Sequence, residues 1–294
     1  VHMRVFVTGA TGWVGSRVVQ ELLAHGHQVL GLARTPDKAA QLSRAGAQVL
    51  QATLDDLERL AEAAGRCDAV IHTAFNHDFS KFAENAMQDQ RAIEALGQAL
   101  AGTDKPLLAT SGLARLAPGR VATEADLPAD APGYPRRSEA AAIALARRGI
   151  RAATVRLAPS VHGVGDHGFI PILVRLARQT GVSAYVGDGS NRWPAVHVAD
   201  AGTLYRLALE SGVTASVYHA IAEEGIAMHD IAQAIGRRLG LPVAPRGREH
   251  FGWFADFAGA DMPASSAGTR TALGWQPRGP TLLADLAQPD YCEA

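Results

Sequence analysis

Three glycines spaced three apart, in Thr8-Gly9-Ala10-Thr11-Gly12-Trp13-Val14-Gly15, directly follow the apolar-biased run Arg4-Val5-Phe6-Val7. A helical pattern begins at once after them. A turn of this kind can hold a pyrophosphate. Gly9 permits the tight turn at a strand end, Gly12 lets backbone approach the phosphates, and Gly15 lets the new helix sit close to the sheet. The helix start then offers unpaired N–H groups and the positive end of its dipole. About 19 residues on, where an acid would accept bonds from the ribose 2′-hydroxyl of NAD, the chain reads Leu32-Ala33-Arg34-Thr35. An arginine there can fork onto a 2′-phosphate, which an acid would repel. The expected cofactor is therefore NADP (as NADPH); the alternative for Arg34 is a solvated side chain at a loop start.

These residues need a scaffold, and the chain supplies one by alternation. Apolar runs at Val5–Thr8, Gln28–Ala33, Gln48–Gln51, Ala69–Thr73, Leu107–Thr110 and Ala153–Leu157 read as strands. Helical patterns at Gly12–His25, Asp37–Ala45, Leu54–Ala64, Lys81–Leu100 and Arg136–Arg148 lie between them. Such alternation predicts an α/β, doubly wound parallel sheet with helices on both faces. Gly26, Gly46, Gly65 and Gly149 each read as the residue just past a helix end. Beyond Leu157 the order loosens. Helices are expected at Phe169–Gln179, Asp200–Leu209, Met228–Leu239 and Leu282–Ala287, with strands at Ala195–Val198 and Val217–Ala220 and a turn at Gly187-Asp188-Gly189. No low-complexity linker separates the halves, so a second domain would be interleaved. The expected division is a dinucleotide-binding part over residues 3–160 and about 195–220, with a small second part over about 161–194 and 221–294.

Composition narrows the function further. The 294 residues are 47% hydrophobic, with a net charge of −1, which gives no electrostatic case for nucleic acid or an anionic membrane. No apolar run is long enough to span a bilayer. Cys67 and Cys292 lack metal-ligand spacing and read as free thiols of a reducing compartment, so a cytoplasmic location is expected. Met3 reads as the natural start, with Val1 and His2 ahead of it. The eleven histidines show no zinc-type pairing, and no metal is expected.

The ordered motifs together resemble the extended and atypical short-chain dehydrogenases/reductases over nearly the whole chain. The glycine turn has that family's Gly-x-x-Gly-x-x-Gly form. Val70-Ile71-His72-Thr73-Ala74 resembles its fourth strand, Val196-His197-Val198-Ala199-Asp200 its V-H-V-x-D segment, and Leu273-Gly274-Trp275-Gln276-Pro277 its terminal L-G-W-x-P. The resemblance implies a Rossmann domain of about seven strands. It places Gly9, Thr11, Gly12, Trp13, Val14, Gly15, Arg34, Leu54, Asp55, Thr73, Ala74, Phe75 and Pro159 at the dinucleotide. Asp55 would meet the adenine, or alternatively cap the following helix. The resemblance also implies pairing of two chains through helices, here Asn85–Leu100 and Ser138–Arg148, and hence a homodimer.

The family moves hydride between nicotinamide and a carbonyl or alcohol carbon. A Tyr acts as general acid/base, a Lys four residues later lowers its pKa, and an upstream Ser or Thr bonds the substrate oxygen. Here Ser111 matches the hydroxyl and Tyr134, in Gly133-Tyr134-Pro135-Arg136-Arg137-Ser138, matches the acid. The Lys position holds Ser138. Asp89 stands near the place of the family's fourth-helix Asn. Two compensations are expected: Pro135 at the first helical position would make Tyr134 the N-cap, and Arg137 would share its face. His162, in the Gly-rich loop after the sixth strand, and Arg192 are the candidates for touching substrate; for Trp193 and His197 core packing is the better account. An NADP-dependent carbonyl/alcohol oxidoreductase is the first reading. Dehydration is disfavoured because Gly112-Leu113, not an Asp-Glu pair, follows Ser111. A nucleotide-sugar epimerase and a non-catalytic NADP(H)-binding regulator remain as alternatives.

Overall fold

The computed structural model describes residues 2–114, 116–128 and 134–292. Val1 and Gly133, named above, lie outside them, as does the side chain of Cys292. The first half of the chain runs β1 (Arg4–Thr8), α1 (Trp13–Ala24), β2 (Gln28–Ala33), α2 (Pro36–Arg44), β3 (Gln48–Gln51), α3 (Leu57–Gly65), β4 (Ala69–His72), α4 (Phe82–Gln98), β5 (Leu107–Gly112), α5 (Ser138–Arg147) and β6 (Ala152–Leu157). It continues through β7 (Ser160–His162), α6 (Phe169–Thr180), β8 (Ser183–Val186), β9 (Arg192–His197), α7 (Val198–Glu210), β10 (Val217–Ala220), β11 (Glu223–Ala227), α8 (Met228–Leu239), β12 (Val243–Arg246), α9 (Ala255–Ala258), α10 (Ala267–Leu273) and α11 (Leu282–Leu286).

The main sheet has seven strands in the order β10-β6-β5-β4-β1-β2-β3. Every pairing in it is parallel. Its central strands are buried on both faces, so they read as continuous apolar runs rather than alternating ones. One face packs against α1 and α7, the other against α3, α4 and α5. On α1 the buried residues Gly15, Val18, Val19 and Leu22 follow the helical spacing that lays one stripe on the sheet. The order reverses between β1 and β4, which is where doubly wound sheets bind ligands, beyond the strands' carboxyl ends.

The second half differs from expectation in detail. The strand expected at Ala195–Val198 is β9, and it lies in a separate three-stranded sheet, β11-β9-β7. Strand β10 returns to the main sheet beside β6, as expected. Strands β7, β8, β11 and β12 were not foreseen, because three to five residues carry too little periodicity to stand out from loop. The apolar side chains of β8 and β11 join a C-terminal core around Trp193, Phe251, Phe254 and Tyr291, whereas Val161 of β7 packs on the core of the main sheet. Trp193 is core, as expected, and its indole donates to Phe257 O at 3.1 Å. Gly26, Gly46 and Gly149 have positive φ just past their helices. Gly65 does not: it is the last residue of α3, with Arg66 following as the cap.

Two motifs far apart in sequence prove to be one contact. The Asp200 carboxylate accepts from the backbone N–H groups of Arg278 (2.9 Å) and Gly279 (2.8 Å), and the Trp275 indole donates to Asp200 O at 3.1 Å. V-H-V-x-D and L-G-W-x-P thus tie the C-terminal segment to the start of α7.

A buried ion pair sets α5 against the sheet. Arg156 on β6 is fully buried, and its Nε and Nη2 donate to the Glu139 carboxylate at 2.9 and 2.6 Å. The guanidinium also donates to Asp126 O and Thr123 O, and Nη1 lies 3.0 Å from His219 Nε2. Arg156 is the register partner of Ser111, and Glu139 follows Ser138, so the pair fixes the start of α5 beside the end of β5. Glu139→Ala would leave a guanidinium buried without its counter-ion. It is expected to lower stability by about 3–5 kcal/mol, read from the midpoint of urea unfolding. A loss below about 1 kcal/mol would show that the pair bears little of the load.

Candidate active site

The glycine turn stands at the β1 carboxyl end, closed by Gly12 N–H to Gly9 O at 2.9 Å. A Cβ on Gly15 would sit 1.9 Å from Gly9 O, and one on Gly9 (φ +62) would meet Thr73 Oγ1 at 2.6 Å. Both positions therefore exclude any side chain. No side chain caps α1 and no acid occupies its first turn, so its leading N–H groups and positive dipole end are left for an anion. Thr73 Oγ1 donates to Thr8 O at 2.8 Å, which joins the β4 end to the β1 end at the switch point. The Trp13 indole is committed to Val161 O at 2.7 Å, pinning β7 to the turn. Among the described residues Arg34 is exposed at the β2 end and makes no ion pair. Thr35 caps α2, its hydroxyl accepting from Lys38 N.

Asp55 is exposed and accepts from Gln88 at 2.9 Å. It does not cap α3. Asp56 holds that position, and its carboxylate turns back to accept from Thr53 N and Oγ1. Those bonds, the backbone one foremost, hold its carboxyl below the usual range.

Behind the turn runs a buried polar chain whose hydrogen bonds converge on the Asp89 carboxylate from both sides. Thr8 Oγ1 bonds His72 Nδ1 at 2.8 Å, and His72 Nε2 bonds Asp89 Oδ1 at 2.9 Å. The Ser138 hydroxyl donates to Asp89 Oδ2 at 2.5 Å and accepts from Arg136 Nε at 2.9 Å. Arg136 Nη2 then donates to Thr110 O at 3.1 Å. A carboxylate only accepts, so His72 donates to Asp89 from Nε2. Asp89 lies in the buried stripe of α4 among Asn85, Ala86, Ala92 and Ile93. Both its oxygens accept hydrogen bonds, and the side chain is buried. His72 was missed in the sequence, although a histidine ending the otherwise apolar Ala69-Val70-Ile71 run was a signal.

The expected compensation for the missing Lys is corrected. Helix α5 begins at Ser138 with Arg137 as its N-cap, so neither Pro135 nor Tyr134 belongs to it. Arg137 is exposed and shares no helical face with Tyr134. The start is set by Ser138, whose hydroxyl is spent on Asp89 and Arg136. The inward cation is Arg136. Besides its bond to Thr110 O beside Ser111, its guanidinium lies 4.2 Å over the Phe75 ring. Its charge also depresses the His77 pKa, second to burial. Ser111, at this strand end, and Tyr134, two residues before Arg136, are both half-buried, and the Tyr134 ring meets Phe82 edge-on at 5.7 Å. Thr110 Oγ1 shares a 2.6 Å hydrogen bond with Tyr205, whose buried phenol is pushed well above its ordinary range by desolvation.

Both substrate candidates are already paired with carboxylates. His162 is wholly buried on β7, its Nδ1 2.5 Å from Asp285 Oδ2, and burial depresses its pKa. Arg192 is held by Asp261 through Nε (3.1 Å) and Nη2 (3.0 Å), so its charge is already matched. Pro159 is half-buried at the end of β6, and Leu54 half-buried before α3. Among the described residues no group of His, Cys, Asp and Glu is arranged to hold a metal, and no helix is long and apolar enough to cross a membrane.

Comparison with known proteins places this arrangement. The Schizosaccharomyces pombe protein C2A9.02 is 47% identical over 98% of this chain and 100% of its own. A Stigmatella aurantiaca enzyme, 4-hydroxy-2-methyl-3-oxo-4-farnesyl-3,4-dihydroquinoline-1-oxide ketoreductase, is 30% identical over 74% of this chain and 67% of its own. Among solved structures, the dTDP-glucose 4,6-dehydratase DesIV of Streptomyces venezuelae, solved with NAD and TYD bound, superposes with a TM-score of 0.77. It is 21% identical and covers 97% of this chain and 95% of its own, a likeness of fold. The model of the NAD dependent epimerase/dehydratase family matches residues 5–221. The glycine cradle at the switch point, the Ser111 strand end and these matches agree: the chain belongs to the NAD dependent epimerase/dehydratase family, a short-chain dehydrogenase/reductase of the NAD(P)-dependent oxidoreductase type.

Proposed function

We propose that this protein is an NADP-dependent reductase of small carbonyl compounds, working reversibly on the corresponding alcohols. The observation that carries the reading is the bond from Arg136 to Thr110 O. It brings the segment of Tyr134 to the strand end of Ser111 and sets a guanidinium where the family's Lys is missing. The cradle fits a dinucleotide: its glycines leave no room for side chains, and the uncapped N-terminus of α1 faces the turn. Arg34 would hold the 2′-phosphate. The bound nicotinamide, when reduced, supplies the hydride. Ser111 orients the carbonyl oxygen, and Tyr134 gives it a proton. Arg136 stabilises the phenolate that remains but cannot relay protons, because guanidinium stays charged. The ketoreductase relative favours this reading over an epimerase. The absence of an ammonium at Ser138 keeps NADP(H) binding without turnover as the second reading.

Two measurements test the proton donor and the cation. Tyr134→Phe should cut turnover by about 10²–10⁴-fold while NADPH still binds; full turnover in this variant would remove Tyr134 from the role. Reduction needs the protonated phenol, so kcat/KM should fall as pH rises through its pKa. Losing a neighbouring cation raises that pKa, so in Arg136→Met the falling limb should move up by about one pH unit. Arg136→Lys should keep it near its original place. An unmoved limb in Arg136→Met would assign the cation's role elsewhere.

Cofactor choice is tested by calorimetry. NADPH should bind more tightly than NADH, and Arg34→Asp should cost NADPH about 1.5–3 kcal/mol and reverse the order. Equal affinities in the unaltered protein would remove the 2′-phosphate role from Arg34.

A further inference from the structure

Aromatic residues make up only 6% of the chain, yet five of them form one row leading away from Tyr134. The Tyr134 ring meets Phe82 edge-on at 5.7 Å, and Phe82 meets Phe79 at 5.6 Å and Phe75 at 6.0 Å. Phe79 in turn lies 5.5 Å from Trp253, tilted by 30°. Phe75, Phe79 and Phe82 follow β4, whereas Trp253 comes from the 3-10 turn Arg248–Phe254 of the C-terminal region. The row therefore bridges the two parts of the molecule across the proposed reaction centre. Trp253 is 62% exposed, so it does not serve the core, which the neighbouring Phe254 fills. A large indole left in water costs free energy unless something covers it.

The charges near the row fit a neutral occupant with one acceptor oxygen. Arg136, stacked on Phe75, has no ion pair among the described residues and is the cation closest to Tyr134 in sequence. Two C-terminal arginines that could have received a diphosphate are matched internally, Arg192 by Asp261 and Arg248 by Asp256. Neither of these two is free to receive a phosphate.

We infer that the row from Phe82 to Trp253 is the substrate wall, and that the substrate is a flat aryl aldehyde or aryl ketone. Its ring lies against Phe79 and Trp253, and its carbonyl points to Tyr134. This rests on the carbonyl-reductase reading above. The carbonyl carbon gains a hydride, with its electron pair, from the reduced nicotinamide. The oxygen gains the Tyr134 proton, giving a benzylic alcohol and the oxidised cofactor, and the phenolate recovers its proton from water.

The test uses the full chain with NADPH and compares benzaldehyde with cyclohexanecarbaldehyde, of similar size but not flat. The aryl substrate should be favoured in kcat/KM by about tenfold, mainly through KM. Trp253→Ala, at an exposed position, should erase most of that preference, and Phe79→Leu should reduce it. A preference below twofold, or one untouched in both variants, overturns the inference while leaving the reductase reading intact. A second arm needs no turnover: benzamide should quench the indole fluorescence of the protein saturably, and Trp253→Phe should remove that change. Saturable quenching lost in Trp253→Phe without reduction of any aldehyde would keep the aryl site and overturn the reductase reading. Absence of quenching together with equal turnover of both aldehydes would do the reverse.

Discussion

The Asp89 carboxylate, buried on α4, is the constraint from which the architecture of the site follows. A lone carboxylate in that apolar stripe would be strongly unfavourable. It is stabilised by accepting from His72 on β4 and Ser138 at the start of α5. Each partner is in turn oriented: His72 by Thr8, the residue just before the glycine turn, and Ser138 by Arg136. One hydrogen-bonded chain, with Asp89 as the acceptor at its middle, therefore runs from the glycine turn to the end of β5. Breaking any link leaves a buried donor or acceptor without a partner, which costs more than the bond itself is worth.

This chain also explains how the site departs from the family pattern without falling apart. Where a Lys would stand, Ser138 is a small hydroxyl that closes the buried network. Two residues toward the N-terminus, Arg136 reaches the end of β5 from the loop. Guanidinium suits that place because it can stack on Phe75 and donate in two directions at once. The ion pair of Arg156 with Glu139 holds the same helix start from the other side, through the strand that pairs with Ser111. Two polar systems, one on each side of β5, thus fix a single loop-to-helix junction.

The C-terminal region is attached by polar contacts of the same economy. Asp200 takes two backbone N–H groups and lends its carbonyl to Trp275, while His162 meets Asp285 and Asp166 meets Tyr291 at 2.5 Å. Burial pushes the Asp166 carboxyl up and the His162 imidazole down, as expected for groups sealed beneath the last helices. The Trp13 indole joins this assembly to the glycine turn through Val161 O. The glycine turn and the C-terminal region are therefore mechanically continuous.

The sequence by itself determined the parallel sheet, its six leading strands to within a residue or two at each end, and the glycine cradle. These depend on local signals: apolar runs, helical spacing, and glycines that no side chain can replace. It also pointed to Ser111, Tyr134 and Asp89 through ordered motifs. Tertiary structure alone decided which cation faces inward, because Arg136 and Arg137 are adjacent and chemically alike; the turn into α5 selects between them. It alone decided that His162 and Arg192 are spent on Asp285 and Asp261, partners 123 and 69 residues away. It alone joined Trp253 to Phe79. Pairings at such separations leave no periodicity in the chain, since they are set by how the layers pack and not by any local preference.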